Sequence, residues 1–189
     1  MAKLIYTAIT SLDGYIEDSQ GNFDWSMPDD EVHSCINNLE RGIGTYLLGR
    51  KLYDVMKVWD ELYDQPDHAH VVREYATIWH AVDKVVFSRS LERPSTSKTR
   101  IERTFDPDVI RKLKAESRED LSIGGANLAA QALKAGLVEE INLFVSPIIV
   151  GGGKRALPDD FSTTLELAGE RHFDNGVVYL RYVVKNPAP

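Results

Sequence analysis

The spacing of apolar positions changes several times along the chain, and each change predicts an element. Lys3 to Thr10 carries apolar residues on both parities (Leu4, Ile5, Tyr6, Ala8, Ile9), the pattern of a strand covered on both faces. Ser11-Leu12-Asp13-Gly14 interrupts it with turn chemistry, and Tyr15-Ile16 resumes before a polar loop from Asp18 to Asn22. Pro28 to Glu31 supplies the proline and acids of a helix start, and Val32, Ile36, Leu39 and Ile43 follow at helical spacing. Thr45 to Leu48 predicts a short strand that ends at Gly49-Arg50-Lys51. Leu52, Val55, Met56 and Trp59 make a second helical stripe, and Tyr63 to His68 reads as loop. Asp83 to Ser88 predicts another strand, Arg100 to Arg103 a short edge strand, and Pro107 to Ser117 a third helix.

The stretch from Asp120 to Gly136 organises the rest. Leu121, Ser122 and Ile123 end a buried strand, Gly124-Gly125 follows at once, and Ala126 to Ala135 is rich in the best helix formers. Paired glycines let backbone approach a ligand, and the free N–H groups and dipole of the helix start favour an anion. Asn127 adds a side-chain donor. The same residues also suit a tight turn with no ligand. Beyond them, Glu140 to Val150 is an apolar run bent at Pro147, followed by Gly151-Gly152-Gly153 with Lys154 and Arg155 behind it. Asp174-Asn175-Gly176 between two strand-like segments is a strong hairpin signal. The whole predicts one α/β domain over 1–189. It has about four helices and a sheet that starts largely parallel and closes with an antiparallel hairpin.

Composition narrows the function classes. With 189 residues the chain can bury a sizeable core, and 43% hydrophobic with 27% charged residues is ordinary for a soluble globular protein. A formal charge of −7 argues against nucleic acid as the main partner. Cys35 is the single cysteine, so neither an internal disulfide nor a cysteine-rich zinc site is available. The histidines at 68, 70 and 80 lack metal-ligand spacing, and no metal is expected. No apolar run reaches membrane-spanning length, and the N-terminus reads as a strand, so a cytoplasmic setting is the expectation. The apolar run Phe144 to Val150 and the closing hairpin offer a surface for a homodimer.

The candidate chemistry lies at three strand ends: Gly49-Arg50-Lys51, Ser88-Arg89 and Gly124-Gly125. In parallel α/β sheets, ligands sit beyond the carboxyl ends of strands. Arg50, Lys51 and Arg89 bring positive charge there, and arginine's planar fork suits a phosphomonoester. An adenosine phosphate gripped by arginines, with a diphosphate on the Gly-Gly helix start, describes NADP(H). Phe23-Asp24-Trp25 places two aromatics around an acid in a loop, either a core anchor or one wall of a pocket. No Ser–His–Asp or Cys–His arrangement stands out, which disfavours covalent catalysis.

The order of TAITSLDGYIE, LLGRKLYD, VVFSRS, IGGANLAAQAL and PIIVGGGKRAL resembles the dihydrofolate reductase superfamily. It is most similar to stand-alone relatives of the C-terminal reductase domain of RibD, the bifunctional riboflavin-biosynthesis enzyme. The resemblance implies a three-layer αβα sandwich around a mixed sheet of about eight strands, with NADPH as hydride donor to a small heterocyclic substrate. It implies cofactor contacts from Gly49, Arg50 and Lys51, from Ser88 and Arg89, and from Gly124, Gly125, Ala126, Asn127 and Leu128. Ala8 is implied to lie near the nicotinamide, and Ser11 to Gly14 to border it. Riboflavin-pathway reductases commonly carry Lys after the Asp-Gly, where Tyr15 stands here, which argues against a phosphorylated substrate. Asp13 is the candidate polar group at the reacting end, or else ties down its own turn. Asp30 matches the place of the dihydrofolate reductase acid, or else serves the helix dipole. Ser11, Asp24 and Trp25 complete the expected substrate side.

Overall fold

The computed structural model describes residues 1–185. Ten strands are formed. Six of them run β1 (Leu4–Ser11), β3 (Ile43–Gly49), β4 (Asp83–Phe87), β5 (Thr99–Glu102), β6 (Asp120–Gly124) and β7 (Glu140–Ser146). The closing hairpin is β9 (Thr164–His172) and β10 (Val178–Lys185). These eight make one sheet in the order β5-β4-β3-β6-β1-β7-β10-β9. The first six in that order are mutually parallel, and β10 is antiparallel to both β7 and β9. Two short strands, β2 (Tyr15–Glu17) and β8 (Lys154–Arg155), pair as a separate antiparallel ribbon.

Alternation along the central strands builds two cores. Leu47 and Val85 join Leu4, Tyr6, Leu121 and Ile123 on one face. Their covers are α5 (Pro107–Glu116) through Ile110 and α6 (Ala126–Lys134) through Leu128, Ala129, Ala132 and Leu133. Tyr46, Leu48 and Val86 face the other way, against Tyr75 and Trp79 of α4 (His70–Ala81). Farther along that face, Val32 of α1 (Asp30–Glu40) packs with Phe144, Phe173 and Tyr179. This is the three-layer sandwich with an eight-stranded mixed sheet that the sequence suggested.

Local chemistry explains the helix starts. Asp29 caps α1 by accepting from the Val32 amide at 2.9 Å. Asp106 caps α5, with Pro107 in the first turn. The hairpin turns at Asn175, whose side chain accepts from the Val177 amide at 3.0 Å, and at Gly176 with φ 87.

The helix count is a correction: six α-helices form among the described residues, where about four were expected. Helix α4 covers residues to which the sequence pattern assigns no element. It has no side-chain cap, and burial of Tyr75, Ala76 and Trp79 holds it. The stripe from Leu52 to Trp59 divides at Lys57 into α2 (Arg50–Met56) and α3 (Val58–Leu62).

Candidate functional site

The carboxyl ends of β5, β4, β3, β6 and β1 lie side by side along one rim of the sheet. Two glycine turns meet there. β3 passes at Gly49 directly into α2, and β6 passes through Gly124 and Gly125 into α6. Gly125 adopts φ 93, which side chains rarely tolerate, and a Cβ built on it would lie 3.6 Å from the Gly49 backbone. A Cβ on Gly124 would fall 2.3 Å from the Leu52 side chain. Both turns therefore pack back to back. The amides of Leu128 and Ala129 bond to the Gly125 carbonyl, and the earlier amides of α6 have no intrahelical acceptor.

Two cavities flank that helix start. One, of about 460 Å³, brings together Gly49, Arg50, Ser88, Arg89, Asn127 and Leu128, six residues singled out in the sequence. It also takes in Phe87, Arg103, Thr104, Phe105 and Gln131, which sequence reasoning missed. Arg103 and Thr104 follow β5 as Arg89 follows β4, so the strand-end rule would have found them once β5 was placed at the edge.

The three guanidinium groups in this cavity differ. Arg50 is paired with Asp54 one helical turn on, at 2.6 Å. Arg103 donates to the Ser88 and Leu91 carbonyls at 2.9 and 2.7 Å. Arg89 is exposed and has no ion-pair partner among the described residues. The buried Ser88 hydroxyl accepts from the Leu91 amide at 3.0 Å, which fixes this wall. Lys51 does not reach the cavity; its side chain is 83% exposed and lies 3.9 Å from Glu17.

The second cavity, of about 440 Å³, opens on the other side of Asn127. Ala126, Asn127 and Ala130 form one wall, and Tyr15, Gly153, Lys154 and Arg155 form the opposite one. The Arg155 guanidinium lies 5.0 Å from the Tyr15 ring centre and 2.8 Å from Asp159.

Neither cavity is lined by Ala8, Ser11, Asp13, Asp24, Trp25 or Asp30. Ala8 lies within β1 opposite Leu143 and packs on the core. Ser11 is buried and accepts from the Tyr15 amide at 3.0 Å. Asp13 uses both carboxylate oxygens on backbone amides, Val150 at 3.2 Å and Gly151 at 2.8 Å. The Ser11 hydroxyl is the main cause that holds its carboxyl below the usual range; desolvation opposes it, and the Gly151 and Val150 amides add to the lowering. These amide contacts reach a segment distant in sequence and not Asp13's own turn.

Asp24 is exposed in a single 3-10 turn. Beside it the Trp25 indole N–H is buried with no acceptor among the described residues. Asp30 is exposed in the first turn of α1, on the opposite face of the sheet from α6. Burial pushes the His33 imidazole below its ordinary value, and the Asp30 carboxylate opposes that shift.

Among the described residues, no helix is long and apolar enough to cross a membrane. The chain matches the family model of the RibD C-terminal domain over residues 2–179, and it belongs to that family. It is 29% identical to the uncharacterized protein YyaP of Bacillus subtilis (strain 168), across 95% of this chain and 94% of that one. The uncharacterized YwjB of the same organism is 26% identical, across 95% and 96%. Among solved structures, a Shewanella sp. PV-4 protein named for riboflavin biosynthesis superposes with a TM-score of 0.74 at 23% identity, covering 98% of this chain and 99% of that one. Acinetobacter baumannii RibD superposes at 0.71 with 15% identity, and the match covers 98% of this chain but 58% of that one. These structures share the fold.

Proposed function

We propose that this member of the RibD C-terminal domain family is an NADPH-dependent reductase that delivers hydride to a small nitrogen heterocycle or imine. The reading is carried by one observation: two cavities of similar volume meet at Asn127, on the first turn of α6, and one of them gathers three guanidinium groups. From β5 to β1 the strand ends cover four inter-strand spacings, about 19 Å. A rim of that length offers successive contacts to an elongated dinucleotide.

The residues fit such a group. The Gly49–Gly125 approach clears backbone at the helix start, so the amides of Ala126 and Asn127 are placed for a diphosphate. Arg89 and Arg50 would hold a phosphomonoester, and the 88–91 turn would border adenine. When bound, NADPH supplies the hydride. The chain's own residues grip its phosphates, orient its two halves on either side of Asn127, and limit water at the reacting end. Tyr15 lies against the Arg155 guanidinium at the position where the resemblance implies a Lys in riboflavin-pathway reductases, which suits an acceptor without a ribose phosphate.

Calorimetry with NADPH and NADH, followed by NADPH absorbance against dihydrofolate and pyrimidine imines, tests the reading. The expected result is heat on binding, tighter for NADPH, and turnover with at least one acceptor. No heat with either nucleotide at millimolar concentration overturns it. Tight binding with no turnover leaves a nucleotide-binding module without the reaction.

A further inference from the structure

Two segments far apart in sequence are joined above the ends of β1 and β7. The Leu12 amide donates to the Ile148 carbonyl at 2.8 Å, and the Ala156 amide to the Gly14 carbonyl at 3.0 Å. β2 pairs with β8, and Gly153 packs so closely on β2 that a Cβ there would fall 2.0 Å from the Glu17 carbonyl oxygen. The Tyr6 hydroxyl donates to the Ala156 carbonyl at 2.8 Å and anchors the far end in the core. Between these anchors the chain runs through Gly151, Gly152 and Gly153, of which Gly151 and Gly153 have φ 76 and 132. Three glycines in a row supply no side chain to hold themselves in place, and such backbone gains order only from outside bonds. The side chain that supplies them is Asp13, through Val150 and Gly151.

We propose that Asp13 is a positioning residue, whose carboxylate fixes the triglycine segment and thereby the Tyr15 and Gly153–Arg155 wall of the 440 Å³ cavity. It shapes the reacting end of the site and transfers no proton. The inference rests on the reductase reading for the identity of the ligand, and on the geometry alone for the latch.

Hydrogen exchange of the 147–157 segment in the full chain, with Asp13→Ala and Asp13→Asn, reads the latch directly. Exchange there should quicken by about tenfold in Asp13→Ala, the scale of a lost charge-assisted hydrogen bond, while α6 keeps its protection. Asp13→Asn, which retains one acceptor oxygen, should fall between. NADPH should bind about tenfold more weakly to Asp13→Ala. The fragment 2′,5′-ADP, whose groups suit the arginine cavity, should bind both variants as it binds the parent. Unchanged exchange overturns the latch, and quickened exchange with unchanged NADPH affinity overturns its role in the site. A parent protein that binds no nucleotide refutes the reductase reading instead, and the exchange result still decides the latch.

Discussion

The two cavities beside Asn127 are built in opposite ways. The arginines of the arginine cavity leave the ends of β3, β4 and β5, each one residue or two beyond its strand. In the cavity on the other side, the wall facing α6 is held by backbone, where residues 11–17 and 147–156 hold each other by main-chain bonds, a glycine contact and one carboxylate. Side chains on rigid strand ends give a surface of fixed charge, suited to affinity. A wall of paired loops gives shape and can be undone by a single Cβ or a single lost acceptor.

The largest expected effect tests that fragility. Gly153→Ala places a Cβ against the Glu17 carbonyl at a φ of 132, and should cost about 3 kcal/mol of stability in urea unfolding. It should also abolish NADPH binding while 2′,5′-ADP still binds. A variant as stable as the parent would show that the two loops are not tightly joined.

A comparable effect, remote from both cavities, serves as a control. Glu40 is buried at the end of α1, and desolvation lifts its carboxyl to about 7. Its folded value lies above the ordinary 4.5, so the folded state holds the extra proton between them. Stability should therefore fall by about 3 kcal/mol as pH rises from 4.5 to 7 and level off above. Glu40→Gln should flatten this part of a thermal-melting series. A parent whose melting temperature does not drop over that range would contradict the burial of the acid.

Within the arginine cavity, Arg89→Ala should weaken NADPH by about tenfold and leave NADH nearly unchanged in calorimetry. Arg50→Ala should act in the same direction but less, because Asp54 already neutralises it. Equal losses for both cofactors would remove these residues from the phosphate role. The smallest change runs the other way. Asp54→Asn frees Arg50 and should tighten NADPH by about twofold, the scale of a half-exposed i,i+4 pair. Weaker binding would mean that Asp54 orients Arg50 rather than competing for it.

The same contrast explains what was legible in the sequence. The Gly-Gly turn, the Asn175-Gly176 hairpin and the Asp-Pro start of α5 are local signals, so each could be read from a few neighbours. Ser88, Arg89 and Arg50 were found because a strand end can be located from periodicity. Helix α4 escaped because Val71, Val72, Thr77 and Ile78 are poor helix formers and no cap marks its start, so only packing of Tyr75 and Trp79 reveals it. Asp13 looked like a reacting acid because its partners stand 137 and 138 residues away. Asp30 reads in the sequence either as a reacting acid or as a charge serving the helix dipole, and the folded helix shows it in the first turn with Asp29 beside it as the cap.

The sheet order carries a consequence for synthesis. β1 is flanked by β6 and β7, so once made it finds no sheet neighbour until residues 120–124 have followed. While the intervening residues are made an apolar segment waits unpaired, with high contact order and exposure to misassociation built into the topology. Fragments ending before β6 should therefore be chaperone clients rather than small folded units.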